Sequence, residues 1–227
     1  MLKFYFNGSP NPTKVALFLE EAGIAYEAHP VDTRRGEQFG PEITNMNPNA
    51  KVPVIVDSDG TVVFDSNAIL LYLSENTGKF AGPADRRGEV LSWLMFVATG
   101  ISPFSGQAVH FRHFATEKVP YANNRYQYEA ERHYGICNER LATRKFMAAD
   151  TYTIVDMALW GWARMLPYIM GDDAWPRFPH LKRWFDEIAA RPAAQLAAGL
   201  KDRHPFKTTM DDEARAHMFK FLARQAA

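Results

Sequence analysis

An alternation of strand-like and helix-like segments in the first eighty residues constrains the fold of this chain most strongly. Short apolar runs, and apolar residues at helical spacing from Val15 to Ala22, predict the order β-α-β-α-β-β-α. Two strands joined by a crossover helix are expected to be parallel, with a right-handed connection. The dipeptide Asp59-Gly60 predicts a hairpin, so the last two strands are expected to be antiparallel. The sequence therefore predicts an α/β fold with a mixed four-stranded sheet.

The rest of the chain shows helical patterns only. Residues 78–88 contain three glycines, one proline and four charges, which is typical of a linker. We expect one domain over residues 1–80 and an all-helical domain over residues 88–227, joined by residues 81–87. The helices predicted in the second domain cover residues 89–98, 121–141, 154–166, 181–190 and 213–224.

Charge and apolar content exclude several classes of function. The chain of 227 residues has 26 basic and 26 acidic residues, so it lacks the basic excess of a nucleic-acid binder. Its apolar runs are too short to span a membrane, and Pro10 and Pro12 come too early for a signal peptide. The single Cys137 excludes an internal disulfide. We expect a cytoplasmic protein whose partners include neither nucleic acid nor a membrane.

The turn between the first strand and the first helix carries candidate catalytic side chains. Ser9 and Asn11 supply a hydroxyl and an amide at a helix start, where backbone N–H groups and the helix dipole favour an anion. A cysteine at this position would have a lowered pKa, but the turn contains none. The two side chains can donate to a thiolate that arrives with a ligand, or they can be ordinary turn residues.

Two further segments suit a peptide or amino-acid ligand. If the bond between Val52 and Pro53 is cis, the Val52 backbone can pair with an extended peptide; otherwise Pro53 simply leads a strand. Ser66 and the helix start can bind a carboxylate while Asp65 binds an ammonium group. The other interpretation is that Ser66 only caps the helix.

The histidines and the cysteine offer two alternative kinds of site, a metal site and a nucleophile. The spacing of His110, His113 and Glu117 permits a metal ion, but without further ligands we favour surface or cleft histidines and predict no metal. Cys137 lies in the middle of a helical pattern and is predicted to be a packed thiol rather than a nucleophile.

Six segments, taken together and in this order, form a family pattern. They are SPNPTKVALFLEE at 9–21, GEQFGPEI at 36–43, NPNAKVPVIVD at 47–57, AILLYL at 68–73, GQAVHF at 106–111 and PYANNRY at 120–126. In this combination nearly the whole chain resembles the glutathione transferase superfamily, and most of all the bacterial Nu-class and yeast Ure2-like proteins. The resemblance implies an α/β thioredoxin-like N-terminal domain followed by an all-α C-terminal domain, with glutathione as cosubstrate and a homodimer as the assembly.

The resemblance also implies roles for individual residues. Ser9 and Asn11 match the positions nearest the glutathione sulfur and are the predicted catalytic residues. The implied glutathione-binding residues are Gln38 for a polar contact, Lys51 for the glycyl carboxylate, Val52 before cis Pro53 for the cysteinyl part, Asp65 and Ser66 for the γ-glutamyl end, and Arg125 from the opposite subunit. Two positions depart from that branch: Ser9 stands where Thr is frequent, and Asp65 where Glu is commoner.

The activity that the resemblance implies is glutathione-dependent reduction of disulfides. Thiolate attack on a disulfide needs no protein cysteine if glutathione supplies the sulfur. Conjugation of glutathione to small electrophiles is an alternative enzymatic activity, and a non-catalytic regulatory or assembly module is an alternative of another class. The pocket for the second substrate is expected to include Phe104, His110 and Phe111.

Overall fold

The computed structural model describes residues 1–221, and the chain divides into two compact units. The first unit contains residues 1–69 together with the C-terminal segment from residue 196, and the second contains residues 70–195. The domain limits expected from the sequence, 1–80 and 88–227, remain predictions. The last predicted helix, 213–224, is confirmed only in its first part, since the helix covers Asp212–Met218; residues 222–224 of the prediction lie outside the described residues.

The first unit is built on a mixed four-stranded sheet in the order β2-β1-β3-β4. β1 pairs in parallel with β2, while β3 runs antiparallel to both β1 and β4. The strands are β1 Leu2–Phe6, β2 Tyr26–Pro30, β3 Val54–Val56 and β4 Val62–Phe64. The mixed sheet and the element order predicted from the sequence are confirmed.

Three helices alternate with these strands along the chain: one follows β1, one follows β2, and one follows β4. They are α1 Pro10–Ala22, α2 Pro41–Met46 and α3 Ser66–Thr77, with a 3-10 turn at Glu37–Phe39 before α2. α1 begins with Pro10, whose missing N–H is no loss at a helix start, and ends at Gly23 in the left-handed conformation with φ 68°. Its residues from Val15 to Leu19 are at most 1% exposed, so α1 is a core element of this unit.

The C-terminal segment packs on the sheet unit through backbone and carboxylate contacts. The Lys207 N–H donates to Asp32 Oδ2 at 2.6 Å, and Arg34 Nη1 donates to the Lys207 carbonyl at 2.7 Å. Because these partners are more than 170 residues apart along the chain, no local pattern reveals them. Sequence analysis placed this segment with the helical region.

Apart from a single bridge between Ala148 and Thr151, residues 70–195 contain no β-structure. The helices after α3 are α4 Arg87–Phe96, α5 Ser102–Val109, α6 Pro120–Leu141, α7 Ile154–Ala163, α8 Leu166–Met170, α9 Pro179–Ala189, α10 Pro192–Gly199 and α11 Asp212–Met218. Short 3-10 turns cover Ala84–Arg86, Trp175–Arg177 and Leu200–Arg203, and π-helical turns flank α5 at Val97–Ile101 and His110–Phe114. The expected helical character of this region is confirmed.

Several helices differ from the pattern-based prediction: α10 is not among the predicted helices, and α11 ends at Met218, before the predicted end at residue 224. α5 was missed because Pro103 and Gly106 weaken its helical signal, although Pro103 lies in the first turn, where proline is tolerated. The helix predicted over residues 154–166 is two helices, since α7 ends at Ala163 and α8 begins at Leu166. Within residues 1–221, no helix has the length and apolar character that crossing a membrane requires.

Candidate functional site

Strand register brings four loops to the same end of the sheet. At that end β1 finishes, with Tyr5 paired to Val54 at the start of β3 and Phe6 paired to Pro30 at the end of β2. Val54 also pairs with Phe64, the last residue of β4. The loops after β1, β2 and β4, and the loop before β3, therefore leave the sheet at one end. These loops, together with the 3-10 turn and the first residues of the helices that follow them, contain the predicted residues Ser9, Asn11, Gln38, Lys51, Val52, Pro53, Asp65 and Ser66.

The loop after β1 presents polar side chains at the start of α1. Ser9 is exposed and precedes the helix in extended conformation, and its hydroxyl makes no capping hydrogen bond. Its carbonyl accepts from the Thr13 N–H at 3.3 Å and from the Thr13 hydroxyl at 2.9 Å. Pro10 and Pro12 remove two backbone donors from the first turn. The helix start thus offers fewer N–H groups than expected, which leaves more of the donation to the side chains of Ser9 and Asn11.

The loop before β3 is held by a buried side chain. The bond between Val52 and Pro53 is cis, as the peptide-binding interpretation required. The side chain of Asn47, a residue only 3% exposed, donates from Nδ2 to the Lys51 carbonyl at 2.8 Å and accepts the Asn49 N–H at 3.0 Å. Sequence analysis missed this role of Asn47; its signal is the Asn-Pro-Asn sequence, which is typical of a turn.

At the start of α3 the capping residue is Asp65, not Ser66. Asp65 is exposed with φ 68°, and its Oδ1 accepts the N–H groups of Asn67 at 2.9 Å and Ala68 at 3.3 Å. The prediction that Ser66 caps this helix is wrong, because both residue types are good caps and the backbone conformation at residue 65 decides between them. Ser66 is the first helical residue and is 4% exposed.

A buried lysine lies beneath this helix start. Lys14 is fully buried, and its Nζ donates to Asn67 Oδ1 at 3.0 Å. Burial lowers the pKa of Lys14 to about 7, against an opposing contribution from the Asp65 carboxylate. Sequence analysis missed Lys14; its signal is its position four residues before Phe18, on the apolar face of α1.

Gln38 is turned towards the backbone of its own unit. The Gln38 residue is 5% exposed, and its Nε2 donates to the Thr33 carbonyl at 3.3 Å and to the His217 carbonyl at 3.5 Å. Its Oε1 is buried and accepts no hydrogen bond within residues 1–221. The amide oxygen is therefore the part of Gln38 with unused bonding capacity.

The three residues predicted for the second-substrate pocket lie close together in the second unit. Phe111 stacks on Tyr126 with ring centroids 5.3 Å apart, and Phe104 lies 6.3 Å from the same ring. His110 packs edge-on against Phe111 at 5.2 Å, and burial lowers the pKa of its imidazole. At neutral pH His110 is thus mainly uncharged. Tyr126, which sequence analysis did not single out, links the cluster from α6.

Arg125 projects from α6 in the same unit. Its side chain is about half exposed, and Nη1 donates to Glu129 Oε1 at 2.9 Å. Glu129 lies one helical turn further on and is itself 7% exposed.

The remaining titratable candidates have structural surroundings. Over residues 1–221, no group of three or more His, Cys, Asp and Glu side chains is placed to hold a metal ion. His113 Nε2 lies 2.7 Å from the Tyr168 carbonyl, with the two rings stacked at 3.9 Å. Cys137 is buried, and burial raises the pKa of its thiol, so it is protonated at neutral pH.

Comparison with known families identifies the class. Residues 8–76 match the glutathione S-transferase N-terminal domain, and residues 104–192 match the glutathione S-transferase C-terminal domain. The chain belongs to the glutathione S-transferase family. The family and the two-part fold expected from the sequence motifs are confirmed.

Individual relatives are similar over most of their length. Disulfide-bond oxidoreductase YfcG of Escherichia coli (strain K12) is 40% identical over 219 residues, which cover 89% of this chain and 98% of that protein. Disulfide-bond oxidoreductase YghU of the same organism is 37% identical, covering 93% of this chain and 84% of that protein. A solved glutathione transferase homolog from Lodderomyces elongisporus, with two GSH per subunit, matches at TM-score 0.83 and 33% identity, covering 88% of this chain and 98% of that one.

Proposed function

We propose that this protein is a glutathione-dependent disulfide-bond reductase. The observation that carries the proposal is the exposed loop after β1, where the Ser9 hydroxyl and the Asn11 amide stand at a helix start that has no cysteine. The reactive sulfur then has to arrive with the ligand. The similarity to YfcG and YghU, both named disulfide-bond oxidoreductases, supports the same reaction here.

Glutathione would lie across the loops at one end of the sheet. The α-carboxylate of its γ-glutamyl group would meet Ser66 and the start of α3, and its ammonium would meet Asp65, whose capping bonds both use Oδ1. The Val52 backbone would pair with the cysteinyl part, and the exposed Lys51 would face the glycyl carboxylate. Gln38 would accept a hydrogen bond through its unpaired oxygen.

The reaction proceeds by two exchanges at sulfur. Ser9 and Asn11 donate to the sulfur of bound glutathione and favour its thiolate, each pK unit corresponding to about 1.4 kcal/mol. The thiolate attacks one sulfur of the substrate disulfide, forms a mixed disulfide and releases the first thiolate, which takes up a proton. A second glutathione thiolate then attacks the glutathione sulfur of the mixed disulfide. The products are oxidised glutathione and two reduced thiols.

Replacement of Asn11 tests the assignment of the thiolate donor. In Asn11→Ala, kcat/KM for a small disulfide such as bis(2-hydroxyethyl) disulfide should fall about tenfold, as expected for a thiol pKa one unit higher. Asn45→Ala, at an exposed position in α2, is the matched control and should keep its activity. Unchanged turnover in Asn11→Ala would remove Asn11 from the mechanism.

A second candidate activity is conjugation of glutathione to aromatic electrophiles. The observation that favours it is the cluster of Phe104, Phe111 and Tyr126, which offers flat apolar surfaces to a planar second substrate. Parallel assays with bis(2-hydroxyethyl) disulfide and 1-chloro-2,4-dinitrobenzene, each with glutathione, distinguish the disulfide-reductase activity from the conjugating activity. Glutathione binding by calorimetry without turnover in either assay would support the non-catalytic module instead.

The proposed assembly is a homodimer in the cytoplasm. Tyr121 is 83% exposed and Tyr128 63% exposed, and their spacing of seven residues places both on the face of α6 that carries Arg125. Exposed aromatic side chains beside an arginine are typical of protein interfaces. A reducing compartment that maintains glutathione as a thiol suits the reaction. Light scattering after gel filtration tests the dimer, and a mass of one chain would contradict it.

A further inference from the structure

Glu129 holds two guanidinium groups at once on α6. Its Oε1 accepts from Arg125 Nη1 at 2.9 Å, and its Oε2 accepts from Arg132 Nε at 3.0 Å and Nη2 at 2.9 Å. The Glu129 side chain is 10% exposed, whereas those of Arg125 and Arg132 are 53% and 44% exposed. The carboxylate is thus an inner anchor for two arginines that reach the surface, and Arg132 lowers the pKa of Glu129 and keeps it charged.

The helical turn that carries Glu129 is fixed by its neighbour His133. His133 Nδ1 lies 2.5 Å from the Glu129 carbonyl, so this nitrogen carries the proton, and its ring lies 5.1 Å from Phe104 and 5.3 Å from Phe96. A Cβ at Gly100 would come within 2.5 Å of the His133 ring, so the close approach at this point needs glycine. The backbone of this turn of α6, from which the Glu129 side chain projects, is therefore held by packing around His133.

Arg125 keeps donors for a further partner. Over residues 1–221, its guanidinium hydrogen-bonds through Nη1 alone, and Nε and Nη2 can reach an anion. A solvated arginine loses rotamer freedom when it binds a ligand, and a second contact that fixes the side chain beforehand reduces that loss. Glu129 provides such a contact one turn away along the helix.

We propose that Glu129 is a positioning residue that orients the Arg125 guanidinium towards a carboxylate of the glutathione bound by a second copy of the chain. The inference rests on the proposed function, because it requires bound glutathione and an α6 face that meets the partner subunit. Glu129 itself touches no ligand. It acts through Arg125, and its negative charge offsets the repulsion between the Arg125 and Arg132 guanidinium groups.

A double-mutant cycle tests this inference. Four proteins are compared: wild type, Arg125→Ala, Glu129→Gln and the double variant. For each, calorimetry gives the dissociation constant of reduced glutathione, and steady-state assays with bis(2-hydroxyethyl) disulfide give KM and kcat. We expect the glutathione dissociation constant and KM to rise about tenfold in Arg125→Ala and about threefold in Glu129→Gln, with kcat changed by less than about twofold. The double variant should equal Arg125→Ala alone. Glu131→Gln, an exposed glutamate paired with Arg177, is the matched control and should behave as wild type.

The outcomes separate the inference from the proposed function. If Glu129→Gln raised the glutathione dissociation constant equally in the wild-type and the Arg125→Ala backgrounds, the inference would be overturned, because the effect would not act through Arg125. No effect of Glu129→Gln beside a clear effect of Arg125→Ala would also overturn it. No effect of Arg125→Ala would overturn it while leaving glutathione binding intact. A wild-type protein that binds no glutathione would instead overturn the proposed function and, with it, the inference.

Discussion

At the scale of single residues, the fully buried Lys14 side chain is costly to keep charged. It lies inside α1, fully buried, with Asn67 Oδ1 as its hydrogen-bond acceptor at 3.0 Å. Taking a charge out of water is unfavourable unless the charge is lost or fully paired, and the pKa of Lys14 falls accordingly to about 7. The folded protein therefore releases this proton at a pH where the unfolded chain still holds it.

This difference predicts a pH-dependent stability that Lys14→Met removes. Between pH 7 and the ordinary lysine pKa of 10.5, the unfolded state binds more protons than the native state, so the unfolding free energy of wild type rises with pH. Relative to Lys14→Met, it should rise by up to about 1.4 kcal/mol per pH unit. Urea unfolding of both proteins at pH 7, 8 and 9 measures the difference. If the unfolding free energies of the two proteins changed with pH in the same way, the buried lysine would keep its proton and this prediction would be wrong.

At the scale of elements, α7 depends on one buried carboxylate. Asp156 Oδ1 accepts the Met147 N–H at 2.8 Å and Trp184 Nε1 at 2.9 Å, and Oδ2 accepts the Thr153 N–H at 3.0 Å. Thr153 caps the helix in return by accepting the Val155 N–H. The carboxylate thus joins the start of α7 to the preceding loop and to α9.

Removal of this carboxylate should destabilise the protein more than removal of the cap itself. Asp156→Ala removes the acceptor of four buried donors, the fourth being the Thr153 hydroxyl at 3.3 Å from Oδ2, and should lower the unfolding free energy by about 3–5 kcal/mol. Thr153→Ala should lower it by about 1 kcal/mol. Urea unfolding followed by tryptophan fluorescence gives both values. Asp186→Ala, an exposed aspartate on α9, is the control and should change little. A smaller effect for Asp156 than for Thr153 would contradict this account.

Helix starts and turns could be predicted from the sequence where the residues that form them are close neighbours along the chain. Thr153 and Asp156 are three residues apart, and Asp59-Gly60 marks its hairpin by itself, so both could be found in the sequence. The choice of Asp65 over Ser66 as cap depends on a positive φ at residue 65, which composition does not reveal. Lys14 contacts Asn67, which lies 53 positions further along the chain, and Gln38 contacts His217, which lies 179 positions further. Only the tertiary structure shows these two contacts.

At the scale of the whole molecule, the C-terminal segment completes the sheet unit. Asp32 is 6% exposed and connects the two: its Oδ1 accepts the Arg34 N–H at 3.0 Å, and its Oδ2 accepts the Lys207 N–H at 2.6 Å. Since Asp32 and Arg34 follow β2 in the same loop as Gln38, the segment from residue 196 holds a loop of the proposed glutathione site in place.

Loss of the Asp32 carboxylate should therefore loosen the C-terminal segment before it unfolds the protein. Without this acceptor the Lys207 N–H loses a charge-assisted hydrogen bond, of the kind that contributes about 1.5–3 kcal/mol, so local opening should become at least about tenfold more frequent. In Asp32→Ala, limited trypsin digestion followed by mass spectrometry should cleave after Lys201, Arg203 or Lys207 about tenfold faster than in wild type. Asp85→Ala, an exposed aspartate in the second unit, should be cleaved as wild type is. Equal cleavage rates in all three proteins would mean that other contacts hold the segment. Because the Asp32 loop also carries Gln38 of the proposed glutathione site, added glutathione should slow the cleavage of Asp32→Ala.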